Sequence, residues 1–182
     1  MKNKKKRLRK GGAEHKEENM YSAETVAKYM INWYHENGIH GGCLFGNKQI
    51  GYFCNNRPVS IITNFRLNKL LYFLQGEYLK ETGERLLRDD FYAWEYGPVV
   101  PLVYYTYNMY ASSELPKQNV VEQLQRKDER FIGQRLWKYL PMKTSELVET
   151  SQAQDPWKYT VEVFGKGTII AFGCFENYFK TN

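Results

Sequence analysis

A chain of 182 residues is long enough for one domain with a substantial core and short for two. It has no apolar run near the roughly 20 residues that a membrane-spanning helix needs, and its N-terminus carries charge without the apolar stretch of a signal peptide. No membrane contact and a cytoplasmic location are therefore expected.

The net charge of +6 suggests a polyanionic partner until it is divided along the chain. The opening "MKNKKKRLRK" holds seven of the 26 basic residues, which leaves 19 basic against 20 acidic residues for positions 11 to 182. A block of like charge followed by Gly11-Gly12 repels itself and has nothing to bury. Residues 1 to 20 are thus expected to form a disordered basic tail and residues 21 to 182 a single domain. The tail reads either as a solubilising arm or as a weak nucleic-acid contact through residues 1 to 10, by phosphate neutralisation. Cys43, Cys54 and Cys174 are an odd number with no export signal, so reduced thiols are expected.

The first helix is expected over Ser22 to Asn37, with Val26, Tyr29, Met30 and Trp33 at helical spacing behind Ser22 as N-cap. The glycine-rich stretch from Gly38 to Pro58 follows. There Leu44-Phe45 and Ile50 to Cys54 could pair as one short hairpin across Gly46-Asn47. His35, His40, Cys43 and Cys54 cluster in this part of the chain, but only His40-x-x-Cys43 has the spacing of a structural zinc half-site. Neither a metal nor a cofactor is assigned.

A second helix runs from Thr63, as N-cap, to Gly83, as stop. Leu67, Leu70, Leu71, Leu74 and Tyr78 make its apolar face. Asn68, Tyr72 and Gln75 form a polar edge beside it, fit for a partner or for an internal hydrogen-bond network. Then comes "AWEYGPVVPLVYYTYNMY", residues 93 to 110. Phe91 and Ala93 alternate with Tyr92, Trp94 and Tyr96 in a short strand or extended arm, and a sharp turn is expected at Gly97-Pro98. A helix starts at Pro101, with Val103, Tyr104, Tyr107 and Tyr110 along one face. Lys127 to Leu140 fits an amphipathic helix closed by Pro141. A short helix from Thr144 or Ser145 follows, then a turn at Gly165-Lys166-Gly167 and an apolar segment from Ile169 to Phe179. The pattern is mainly α, a compact single-domain helical bundle with a short β-hairpin or extended arm.

Two blocks carry a resemblance. "LNKLLYFLQ" followed within about 25 residues by "AWEYGPVVP", and later "DPW" and "ENYF", resembles the Panacea, or SocA-like, antitoxin domain of bacteria and their phages. The resemblance covers roughly Tyr21 to Phe179. The pattern falls on Leu67, Lys69, Leu70, Leu71, Tyr72, Gln75, Trp94, Tyr96, Gly97, Pro98, Val99, Pro101, Tyr104, Asp155, Pro156 and Trp157. Two departures stand out: Gln152 occupies the place before Asp-Pro-Trp where relatives commonly have a histidine, and the segment from Gly38 to Pro58 is long. The resemblance implies a helical domain that neutralises a toxin encoded by an adjacent gene by binding it. In one branch of the family it also implies delivery of that toxin to a cellular protease.

Tyr72, Gln75, Trp94, Tyr96, Gly97, Pro98, Tyr104 and Tyr107 are the candidate partner-binding residues, because amphipathic rings around a rigid turn give contact area at small entropic cost. The competing reading makes Trp94, Leu70 and Trp157 core and the turn mere architecture. An antitoxin acting by occlusion leads. A proteolytic adaptor and a phage-associated interaction protein with nucleic-acid contacts through the tail are the alternatives. An enzyme is disfavoured. The histidines sit at 15, 35 and 40, no nucleophile is paired with a base, and Asp89-Asp90 reads as a solvated turn.

Overall fold

The computed structural model describes residues 20–37, 60–119 and 122–181, together with the backbone pairing of four short strands between residues 43 and 59. The basic segment 1–19 and His40 lie outside the described residues, as do the side chains of Cys43 and Cys54.

Among the described residues, seven α-helices and three two-stranded hairpins make a mainly helical domain. Helix α1 (Ala23–Glu36) starts where Ser22 Oγ accepts from Thr25 N, as expected of this N-cap. Asp89 Oδ2 accepts from Ala23 N at 2.7 Å, so this residue of the expected solvated turn holds a helix end, while Asp90 pairs with Arg85. Strands β1 (Cys43–Phe45) and β2 (Lys48–Ile50) pair with each other, and β3 (Tyr52–Cys54) pairs with β4 (Arg57–Val59). The single hairpin expected here is therefore two. Cys43 to Phe45 pair with Lys48 to Ile50, whereas Tyr52 to Cys54, expected in one strand with Ile50, pair onward with Arg57 to Val59.

Helix α2 (Asn64–Thr82) is the axis of the fold. Thr63 caps its start, and Gly83, at φ +75°, closes it in the left-handed conformation that glycine adopts without strain. Every residue from Arg66 to Gly76 is buried, the signature of a helix enclosed by α1, β6 (Gly97–Val99), α3 (Pro101–Thr106), α4 (Arg126–Tyr139), α5 (Thr144–Ala153) and α7 (Phe172–Thr181). The close approach of α7 depends on Gly76, because a Cβ there would lie 2.2 Å from the Phe179 ring. Polar groups buried on α2 are used internally. Arg66 donates to Tyr139 O, Leu140 O and Thr144 Oγ1, closing the C-terminus of α4, and burial pushes its pKa down to about 10.

Beyond α2, β5 (Tyr92–Trp94) and β6 (Gly97–Val99) form the third hairpin. Helix α3 (Pro101–Thr106) follows with Pro101 at its first position, then a 3-10 turn over Asn108–Tyr110. Helix α4 (Arg126–Tyr139) buries Phe131, Ile132, Leu136 and Tyr139. Its buried Asp128 accepts from the hydroxyls of Tyr21 and Tyr78, at 2.8 and 2.9 Å. Helices α5 (Thr144–Ala153), α6 (Asp155–Phe164) and α7 (Phe172–Thr181) complete the domain. Helix α6 was not anticipated beyond its Asp-Pro-Trp start, and the apolar segment from Ile169 is split. Ile169 bridges Tyr92 in extended form, and only Phe172 onward is helical.

Candidate partner-binding site

Trp94 pairs with Gly97, so the hairpin reverses over the two residues Glu95-Tyr96 and not at Gly97-Pro98, which already form the return strand. Gly97 is required there for two reasons. Its φ is +97°, and a Cβ would meet Ser151 Oγ at 2.8 Å and Lys69 Cε at 3.1 Å. The strand on the other side is the extended stretch after α6: Ala93 N donates to Thr168 O, Gly167 N to Ala93 O and Ile170 N to Phe91 O, each at 2.8 Å.

The hairpin's remaining backbone groups are taken up by side chains. Trp157 Nε1 donates to Trp94 O and Gln152 Nε2 to Glu95 O, both at 3.0 Å. Lys69 Nζ donates to Pro98 O at 2.8 Å, and Asn68 Oδ1 accepts from Val100 N at 3.0 Å. Asn64 Nδ2 reaches Tyr104 O, and Gln75 Oε1 accepts from Leu87 N. Lys166 pairs with Glu95 across the tip at 2.7 Å. Of the polar edge of α2, Asn68 and Gln75 therefore belong to an internal network that satisfies backbone groups folding has taken out of water, whereas the buried Tyr72 hydroxyl has no hydrogen-bond partner among the described residues. Gln152 satisfies such a backbone group at the turn.

Lys69 is the unusual member. It is fully buried with its ammonium 5.0 Å from the Phe65 ring centroid, and burial pushes its pKa down to about 7.

Of the expected contact residues, Tyr96 is exposed, Trp94 and Tyr104 are half-buried and the others are inside. Tyr72 is enclosed by Phe73, Phe91, Phe175 and Phe179, while Gln75, Gly97, Pro98 and Tyr107 are also buried. For these five the surface contact expected from the sequence is replaced by packing, because each is needed to complete the core or the hairpin's hydrogen bonds. Tyr96 is 65% exposed. Trp94 lies edge-on to Tyr104, with ring centroids 4.9 Å apart, and Tyr105 is 6.0 Å from Trp94. The sequence reading missed Leu102, Tyr105 and Met109, which point outward from the opposite side of α3 to Val103 and Tyr107 and are 50%, 66% and 82% exposed. A usable signal existed: from Tyr96 to Ser113, eighteen residues carry no charge.

Among the described residues no group of three or more His, Cys, Asp and Glu could hold a metal ion. His35 Nε2 lies 2.7 Å from Leu115 O.

The family described as "Antitoxin SocA-like, Panacea domain" matches residues 67–158, half of the chain. The chain belongs to this family. The matched region holds Lys69, the β5–β6 hairpin, Gln152 and Trp157, so it includes the hairpin and the α2, α5 and α6 side chains that secure it. The chain is also similar to Antitoxin SocA of Caulobacter vibrioides (strain NA1000 / CB15N), with 49% identity over 43 residues, which cover 24% of this chain and 23% of that protein. The match thus spans less than a quarter of the relative's length. No solved structure matches the chain. Among the described residues no helix is long and apolar enough to cross a membrane.

Proposed function

We propose that this protein is an antitoxin that neutralises the toxin encoded by an adjacent gene through direct, stoichiometric binding, and that the toxin docks on the aromatic face formed by Trp94, Tyr96, Leu102, Tyr104, Tyr105 and Met109. Membership of a family of antitoxins supports the role, as does the name of the Caulobacter relative. The single observation that carries the choice of surface is the exposure of Tyr96, Leu102, Tyr105 and Met109 in a stretch without charge. Large rings with polar tips already held against one another lose little side-chain entropy on contact, which suits them to be binding hot spots. Occlusion needs no reacting group, and the role is that of a non-enzymatic regulator.

The test is bacterial growth with the neighbouring gene induced, alone and with this protein. Growth arrest by the neighbour that wild-type protein relieves, and that a Tyr105→Glu, Met109→Glu double variant no longer relieves, supports the reading. A harmless neighbour, or arrest that persists with both proteins present, refutes it. Removing residues 1–12 separates occlusion from delivery to a protease, since occlusion survives the truncation.

A further inference from the structure

Helix α6 turns Pro156, Trp157 and Thr160 toward the domain and leaves Lys158, Tyr159, Glu162 and Val163 exposed. At helical spacing these four fall within an arc of about 140°. Trp157, which is bonded to the hairpin, and Tyr159, two positions on, point to opposite sides of the helix, so the exposed face looks away from the β5–β6 corner. Tyr159 and Val163 are 49% and 53% exposed, and the Phe164 ring stands edge-on to Tyr159 with centroids 6.2 Å apart. Apolar groups gathered on one exposed face gain by being covered.

The charges on this face are unusual. Lys158 and Glu162 stand one helical turn apart, yet neither side chain has an ion-pair partner among the described residues. The other i, i+4 combinations, Glu24 with Lys28 and Glu176 with Lys180, are closed at 2.7 and 2.8 Å. In those the acid precedes the base, the favourable order on a helix, whereas on α6 the base comes first. The α6 face therefore offers an apolar strip flanked by one open charge of each sign.

We propose that the chain forms a two-fold symmetric dimer through this face of α6. Antiparallel packing of α6 on the α6 of a second copy, about an axis level with Thr160 and Val161, sets Lys158 opposite the second copy's Glu162 and Tyr159 opposite its Val163. Each pair then occurs twice. The levels the two pairs require differ by one residue, about 1.5 Å along the helix, which is well within the reach of a lysine. An unrelated partner would have to match the strip and both charges, whereas a second copy does so by symmetry. Beside α6 lies a groove of about 610 Å³ whose α7 side is made by the small residues Ala171, Gly173 and Cys174. A Cβ at Gly173 would meet nothing within 4 Å, so side chains of the second copy have room to enter. The corner around Tyr105 has no charge to fix a register, and the two surfaces suit different partners.

Sedimentation equilibrium over a range of protein concentrations tests the proposal. A species of twice the 21.6 kDa of the chain is expected. Val163→Glu, at an exposed position, should leave circular dichroism unchanged and weaken the dimer about tenfold or more. Charge reversal reads the symmetry itself. Lys158→Glu and Glu162→Lys each set like charges opposite one another twice and should each weaken self-association about tenfold. Mixed in equal amounts, the two variants present two acids on one chain and two bases on the other, and they should form a heterodimer about as tight as the wild-type dimer. Three outcomes overturn the proposal: a monomer even at about 0.5 mM, a dimer unaffected by Val163→Glu, or single variants that stay apart when mixed. A monomer whose Val163→Glu variant no longer relieves growth arrest would assign this face to the toxin instead. No toxin enters the sedimentation measurement, so its failure leaves the antitoxin reading untouched.

Discussion

The two faces of the β5–β6 corner teach different things. On the inner side, Lys69, Asn68, Gln152 and Trp157 occupy backbone groups around the hairpin, and Gly97 has no room for a side chain. On the outer side, Leu102, Tyr105 and Met109 face solvent, with Tyr105 edge-on to the rings of Trp94 and Tyr104. The motif that makes the family recognisable is therefore mostly scaffold, whereas the surface available to a partner is supplied largely by its unremarked neighbours. A rigid hairpin beneath exposed rings is a sound physical arrangement for binding, because the entropy of ordering the loop is lost in folding and not at the moment of contact.

If the inner face is scaffold, substitutions there must act through stability. The largest effect is expected for Gly97→Ala, which adds a Cβ 2.8 Å from Ser151 Oγ at a positive φ and should cost about 3 kcal/mol in urea unfolding. A near-neutral result would show that the corner yields and would blur the contrast. Lys69 gives a pH-dependent version. Its pKa is pushed down to about 7 in the fold, against roughly 10.4 in the unfolded chain. Between these values the unfolded chain keeps a proton that the folded chain has released. Stability therefore rises with pH across the window, by up to about 5 kcal/mol, and the full penalty of the buried charge remains below it. Above about pH 10 the buried Tyr78, Tyr107 and Tyr139, whose pKa values burial raises, act in the opposite direction. Unfolding at about pH 6, 7.5 and 9 measures the rise, and Lys69→Met should flatten it.

Trp157→Phe removes only the hydrogen bond to Trp94 O and leaves a ring in place, so a loss of about 1 to 2 kcal/mol is expected from the same measurement. The smallest stability change sharpens the comparison most. Tyr105→Glu with Met109→Glu should move stability by less than about 0.5 kcal/mol while abolishing relief of growth arrest. A large loss of stability from this pair would mean that the outer face is also scaffold.

Much of the helical framework is legible in the chain. Ser22 and Thr63 read as N-caps, Gly83 as a stop and Pro101 as a first position, because each acts through backbone groups within a few residues of itself. The misreadings share a cause. Tyr72, Gln75 and Tyr107 have polar tips, and nothing local says whether such a tip meets water or another segment. Helix α6 was obscured because the Asp-Pro-Trp motif, read as a recognition sign, is also a helix start with its tryptophan turned back onto the hairpin.

By itself, then, the sequence determined the helix ends, the apolar axis of α2, the single charged block and the family pattern, all of which depend on residue type and near spacing. Only the tertiary structure decided that Lys69 lies under Gly97-Pro98, that Gln152 holds the turn and that Tyr105 stays outside while Tyr107 goes in. Those outcomes depend on contacts between residues 28 to 63 positions apart, or on which side of a short helix meets the core, and chain-local chemistry specifies neither.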